Sequence, residues 1–553
     1  MRMSIGKNSG PDGSEIVSST LSTRSPQGDA ARQEAMLDTA DKSLALAQSC
    51  LPEIESFLAR IVGRTKTPQL TGLPTFVRDV ARTQRSLQSV AAELSSSSLD
   101  EETLKNRGKK VEAYSINLSH SAVHWEILKR CRSFVAVNQA FQGSAKVARK
   151  KEMKQMALSG RVKQMLHRAM KEQGKIEVDV VEGGREWVYI KTLQEDRLAR
   201  QMTDSGWSWG GYEVGDDVNE QEWEDIPLAK QIKRLVAAAK MNRHEYRIPR
   251  VRVVLPNIGR GNNDMAVLLS QLSCMDTSVQ VIIEDQNSAF LSSPPQLAVA
   301  IDNLIGDEFE GLTQTLNMDH TILVDLISDL THLRLQPQPW QADTTRQQIE
   351  EELRHGGLMV RTLYPILDGR TLVCTRESAE HFHEVLSTVG TSTERERGRL
   401  LVPFDDETRH MPRAAIRARF QSFSVHPVPP SVQIPVSVID EDWTWPSMER
   451  AVGEGRLPRV ALDVARCGNF RSSKLSIYMH GWAAGLVTVT SNKEVRGQIR
   501  TWVEANRRGE DECGPRIWRV DVTRNLLASS ATPRDCEEGV EKGGEESNGH
   551  DTG

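Results

Sequence analysis

The residues of this chain with chemical potential are carboxylates set against apolar runs. In HTILVDLISDLT (residues 320–331), four apolar or β-branched residues at 321–324 run straight into Asp325. The pattern predicts a buried parallel strand that delivers the Asp325 carboxylate to the open end of a sheet, then turns into a helix after Leu326, Ile327, Ser328 and Asp329. A second group lies on a hairpin. KIEVDVVE (175–182) and REWVYIKTL (185–193) alternate about the pair Gly183 and Gly184, so Asp179 sits on the first strand while Tyr189 and Lys191 share a face of the second. A third group, Glu377, Glu380 and Glu384, belongs to the helical stretch RESAEHFHEVLSTVG, where Glu380 and Glu384 share a face at i and i+4.

Other motifs carry less. His381, His383 and Glu384 lack the His-Glu-x-x-His spacing of a zinc site and read as surface polar residues. NIGRGNND (257–264) lies between a strand and a helix, where backbone N–H groups cradle phosphate in some folds, but it lacks the full glycine fingerprint and its lysine and reads as an ordinary turn. TERERGR (393–399) reads as a helix start with i,i+4 pairs, the alternative being a guanidinium pair facing phosphate.

The elements that must position these residues fall into an α/β chain of several domains. Residues 1–34 and the acidic tail 529–553 are polar and aperiodic and are expected to be disordered. Residues 35–145 form a helical region, its apolar positions recurring at helical spacing as far as Phe141. The stretch 146–174, part of a run with about ten Lys and Arg against two Glu, is a basic helical insertion, either solvated or phosphate-contacting. An α/β sandwich follows at 175–300, interrupted by a Trp-bearing loop at 203–225 that tacks onto the domain. A second α/β domain with a parallel sheet occupies 317–528, including a Pro-rich irregular insertion at 405–458.

At 553 residues the chain is long enough for several domains, and its composition, 38% hydrophobic and 5% aromatic, fits globular domains diluted by polar loops. The mean hydropathy is -0.45. A net charge of -5 gives no whole-chain field for nucleic acid, so any such partner must meet a local patch. No apolar run is long enough for a membrane span and no signal-peptide core is present, which predicts a cytoplasmic or nuclear protein with no membrane partner. The seven cysteines are scattered without a C-x-x-C pair and read as free thiols.

The hairpin layout resembles metal-dependent nucleases of the restriction-endonuclease-like kind, in which a carboxylate on one strand and an acid-x-Lys on the next hold a divalent ion. Tyr189 stands where the second acid is expected, leaving Asp179 and Lys191 as a degenerate site better read as a strand-edge salt bridge. The C-terminal region resembles a PIN-like nuclease domain, whose strand-end carboxylates hold Mg²⁺ or Mn²⁺ for RNA hydrolysis. That resemblance implies Asp325 at the first acidic position and one of Glu377, Glu380 and Glu384 as the helix acid; a single-metal site would take Asp325, Glu380 or Glu384, and Asp463 as a third ligand. Ser491 and Asn492 stand where the late acids are expected.

Five stretches, LSHSAVHWEIL, VDVVEGGREWVYIK, LVDLISDL, TVGTSTERERGRLL and TVTSNKEVR, together resemble an uncharacterised eukaryotic family, with one member in human, that joins an N-terminal domain of unknown function to a C-terminal PIN-like domain. The resemblance runs from about residue 40 to 528, apart from the basic stretch and the Pro-rich insertion. It implies a fold but no settled activity; with Tyr189, Ser491 and Asn492 where carboxylates are expected, the leading reading is a degenerate nuclease fold, non-enzymatic or weakly enzymatic, that binds RNA or a protein partner. The alternatives are a single-metal, Mg²⁺- or Mn²⁺-dependent endoribonuclease, and a scaffold that recruits proteins through Trp443, Trp445 and the charged tails.

Overall fold

A computed structural model describes residues 26–62, 71–95, 100–143 and 174–527, together with residues 160, 164 and 165. The expectations for residues 1–25, for the basic insertion and for the acidic tail lie outside the described residues. Residues 26–34, expected to be disordered, begin the helix Pro26–Val62. The chain divides into two compact units, residues 1–59 with 72–129, and 60–71 with 130–553. No helix among the described residues is long and apolar enough to cross a membrane.

In the first unit, Leu73–Ser95 and Glu101–Leu128 join the first helix. Their shared core includes Ile54, Phe57, Leu87, Leu104 and Trp125, all buried. Glu53 accepts hydrogen bonds from Trp125 Nε1 at 2.7 Å and Lys129 Nζ at 2.9 Å, which satisfies polar groups that the packing would otherwise strand.

Among its described residues the second unit holds two five-stranded sheets. The first is mixed, with order β1-β2-β3-β4-β5, built from Phe134–Gln142, Lys175–Glu182, Glu186–Ile190, Arg250–Leu255 and Val281–Asp285. The hairpin forms where the alternation predicts it, and Gly183 and Gly184 both take positive φ. Gly184 is needed twice over, because a Cβ there would sit 2.3 Å from the His244 ring. The helical reading of residues up to Phe141 is corrected. FVAVNQAFQ is β1, antiparallel to β2, and its β-branched and aromatic residues suit a half-buried strand better than a helix. In the Trp-bearing loop, Trp207 and Trp223 pack into the core of this sheet, and Trp207 Nε1 donates to Asp264 at 2.9 Å.

The second sheet is wholly parallel, with order β10-β9-β6-β7-β8. Its strands are Thr315–Met318 (β6), Thr371–Thr375 (β7), Ser437–Ile439 (β8), Val487–Thr490 (β9) and Ile517–Arg519 (β10). The order reverses beside β6, which puts the switch-point crevice, where such sheets bind ligands, at the carboxyl ends of β6 and β9.

The central expectation from the sequence is overturned here. HTILVDLI is the helix His320–Ile327, and the strand before it is TLNM. Ile322, Leu323, Leu326 and Ile327 recur at helical spacing and are buried, and Asp319 caps the helix by accepting from Thr321 N at 3.2 Å. The insertion at 405–458 is also more regular than expected. It supplies edge strand β8 and the helices Arg413–Ser422 and Trp445–Gly453.

The sequence reading missed the helix Ser472–Ala483, which lies across the sheet. Asn317 Nδ2 donates to Ile477 O at 2.7 Å and to Thr488 Oγ1 at 3.0 Å. Gly481 allows the close approach, since a Cβ there would fall 2.2 Å from Thr488 Oγ1.

Candidate functional site at the carboxyl edge of the parallel sheet

The carboxylate at the end of the first strand of this sheet is Asp319, one residue beyond β6 and 2% exposed. Its Oδ2 accepts from Thr490 Oγ1 at 2.6 Å and Tyr478 Oη at 3.0 Å. Its Oδ1 accepts from Thr321 N at 3.2 Å and lies 3.0 Å from His320 Nδ1. Burial alone would raise the Asp319 carboxyl, but His320, the Thr490 hydroxyl and the Thr321 amide outweigh it and hold the group below its usual range. Burial and the charge of Asp319 push Tyr478 well above the ordinary phenol range, so it stays a donor.

The rest of the crevice is built from neighbouring strand ends. The His320 ring meets His381 edge-on with centroids 4.8 Å apart. At the end of β7, Thr375 Oγ1 and Ser476 Oγ share a hydrogen bond of 2.8 Å. Glu377 is half-buried, with Oε1 accepting from Trp443 N at 3.5 Å and Oε2 buried without a hydrogen-bond partner. Beyond β8, Glu441 accepts from Arg456 at 2.9 Å and faces His480 Nδ1 at 3.2 Å. Burial would raise Glu441, and those two partners bring it below the usual range.

The residues expected to bind metal do not converge. Asp325 is wholly buried in the helix His320–Ile327. Its Oδ1 accepts from Thr523 Oγ1 at 2.9 Å and Arg524 N at 2.7 Å, the Ser491 hydroxyl also acts on the carboxylate, and Oδ2 meets the geometry of a hydrogen bond with none of the described residues. Burial pushes its carboxyl up to about 7. Glu380 and Glu384 are exposed on the helix Arg376–Val389. Asp463, in the helix Val460–Cys467, is bound to Arg508 at 2.9 Å. Among the described residues no group of three or more His, Cys, Asp or Glu side chains is gathered that could hold a metal ion. The donors present do not fit Mg²⁺ or Mn²⁺, hard cations that need several oxygen ligands on one centre.

On the mixed sheet, Lys191 lies near enough to Asp179 to act on it by charge. Asp179 Oδ2 accepts from Ile190 N at 2.6 Å. Burial pushes its carboxyl up to about 6, against the pull of that amide and of Lys191. Lys191 Nζ lies 4.9 Å from the centroid of the Tyr189 ring, and Tyr189 Oη bonds Gln231 at 3.0 Å.

TERERGR proves to be a helix start, Ser392–Leu401, with a capping box between Thr391 and Glu394. Its Arg397 is wholly buried and pairs with Asp329, a residue of the opening stretch. Arg397 also donates to Ile327 O at 2.8 Å and Phe423 O at 2.7 Å. The NIGRGNND turn ends in Asn262, which caps the helix Asn263–Cys274, and Arg260 pairs with Asp285 at 2.7 Å.

Asp319, Tyr478 and Thr490 were missed by the sequence reading. The available signal for Asp319 was an N-cap residue ahead of apolar positions at helical spacing; Tyr478 and Thr490 carry no such local mark. Compared with protein-family models, curated proteins and solved structures, the chain matches none.

Proposed function

We propose that the chain is a degenerate nuclease-like protein that binds RNA without cleaving it, with a PIN-like C-terminal domain and membership of the family its sequence stretches resemble. The observation that carries this reading is the state of Asp319. A carboxylate offers about four lone-pair sites, and here three accept protein donors while the fourth side faces His320. An acid so enclosed acts as a structural anchor between β6, β9 and the helix Ser472–Ala483. It leaves no oxygen for a metal that would activate water.

The runner-up, a single-metal endoribonuclease, would require Asp325, Glu380 or Glu384, and Asp463 to share an ion; Asp325 and Asp463 are engaged by Arg524 N and Arg508, and no metal-holding group of three is gathered among the described residues. The scaffold reading is weakened because Trp443 is only 4% exposed. The test is labelled single-stranded RNA incubated with the full chain in Mg²⁺ and then Mn²⁺, read by anisotropy and on a denaturing gel. The RNA is expected to bind and remain intact. Mn²⁺-dependent cleavage that disappears in Asp319→Asn would overturn the reading.

A further inference from the structure

A cleft of about 750 Å³ lies within the second unit, away from the crevice, along the β10 edge of the parallel sheet. Arg185 and Arg247 line it from the mixed-sheet side. Lys493, Arg496 and Arg500 line it from the start of the helix Val495–Asn506, with Arg496 and Arg500 at i and i+4. Arg516 and Arg519 add the β10 edge. Seven Lys or Arg residues therefore face one acid, Glu245. Glu245 lies 3.7 Å from Arg185 and 3.5 Å from Arg496, half exposed in both pairs, so it removes little of the charge. Arg519 pairs with Asp521 at 2.6 Å.

Arg247, Lys493 and Arg500 are exposed and form no ion pair among the described residues. The field reaches the wall of the cleft. Burial holds His244 below its ordinary value, Glu245 opposes that, and Arg496, Arg185 and Arg500 add to the lowering. In a chain of net charge -5, such a concentration of like charge stands against self-repulsion and is expected where an anion is received.

We infer that this cleft is a binding site for the phosphodiester backbone of single-stranded nucleic acid, through Arg247, Lys493 and Arg500 with their neighbours. The inference rests on the RNA-binding reading and names its surface. The charge exceeds what one mononucleotide can match, whereas a strand brings one phosphate per nucleotide along the length of the cleft. The aromatic lining is unavailable for stacking. Tyr246 and Trp482 are buried, and Trp482 Nε1 donates to Cys513 O at 3.1 Å. Recognition therefore falls on the backbone, with bases left unread.

The test compares the full chain with the triple variant Arg247→Glu, Lys493→Glu, Arg500→Glu, by anisotropy of labelled oligouridylate over a salt series. A control triple of equal charge change, Arg234→Glu, Arg354→Glu, Arg413→Glu, alters exposed cations outside the cleft. The cleft triple is expected to lose more than about tenfold in affinity, and its slope of log affinity against log salt should shrink by about 2. The control is expected to lose far less, and a DNA strand of the same length should bind within a few-fold of RNA. Equal loss in both triples would overturn the cleft assignment, as would displacement of RNA by polyglutamate at matched charge, which would mark an acidic-peptide site. If the cleft triple binds like the unaltered chain, the cleft fails while RNA binding stands. If the unaltered chain does not bind at low salt, both readings fail.

Discussion

The mixed sheet and the parallel sheet each enclose an aspartate, and the two carboxyls are driven in opposite directions. Asp179, on β2, receives one amide and the field of Lys191, and burial still pushes it up to about 6. Asp319, after β6, receives two hydroxyls and an amide beside His320, and is held below the usual range although it is the more enclosed. Two turns along the next helix, Asp325 meets the Arg524 amide and the Thr523 and Ser491 hydroxyls, and burial still raises it to about 7. Burial raises all three carboxyls, and only at Asp319 do His320 and the surrounding donors outweigh it.

The severest way to break that comparison is to strip a buried carboxylate of its cation. Arg397→Ala leaves Asp329 enclosed with Thr391 and Thr393 alone, and is expected to cost roughly 3–5 kcal/mol. Urea denaturation measures it. A loss below about 1 kcal/mol would mean the donors, rather than the charge, carry Asp329.

The pH dependence of stability separates Asp325 from its surroundings. A carboxyl raised to about 7 in the fold contributes stability that is complete below about pH 4 and is lost as the pH rises through about 7, at up to about 1.4 kcal/mol per pH unit. His332, wholly buried, is lowered to about 3 by burial, with Arg397 adding to it. Its contribution runs the other way, complete above about pH 6.5 and lost as the pH falls. The two slopes oppose each other in mildly acidic solution. Asp325→Asn removes the first, so the variant should gain stability with rising pH up to about 6.5 and exceed the unaltered chain at about pH 8 by a few kcal/mol. Denaturation at three pH values checks this, and parallel curves for both proteins would refute it.

Tyr478→Phe removes one donor from Asp319 and is expected to cost about 1–2 kcal/mol at neutral pH. Because the Asp319 carboxyl is lowered in the fold, its contribution is present above about pH 4 and lost as the pH falls further, so the cost of the variant should shrink in acid. The smallest effect is expected from Lys191→Met, which removes a cation that lowers Asp179. The carboxyl should then titrate above about 6, followed by carbon NMR of the aspartates, with stability changed by less than about 1 kcal/mol.

Much of the scaffold was legible in the sequence. The hairpin declared itself by alternation about two glycines, and the parallel sheet was expected within 317–528, where β7 to β10 lie. The site was displaced because four apolar or β-branched residues in a row at 321–324 satisfy a buried strand and a buried helix equally. What distinguishes them lies on either side: Asp319 as a cap, and Leu326 with Ile327 one turn later. β8 was hidden because a three-residue edge strand in Pro-rich surroundings has no period to show. Tyr478 reaches Asp319 across 159 positions of sequence, and no local pattern encodes such a meeting.

The enclosed state of Asp319 is most directly tested by titrating Mn²⁺ into the full chain and following free Mn²⁺ by electron paramagnetic resonance. With the lone pairs of Asp319 taken by Tyr478, Thr490 and Thr321, no stoichiometric Mn²⁺ should bind, and Asp319→Asn should leave the titration unchanged. One Mn²⁺ bound per chain and lost in Asp319→Asn would contradict the account.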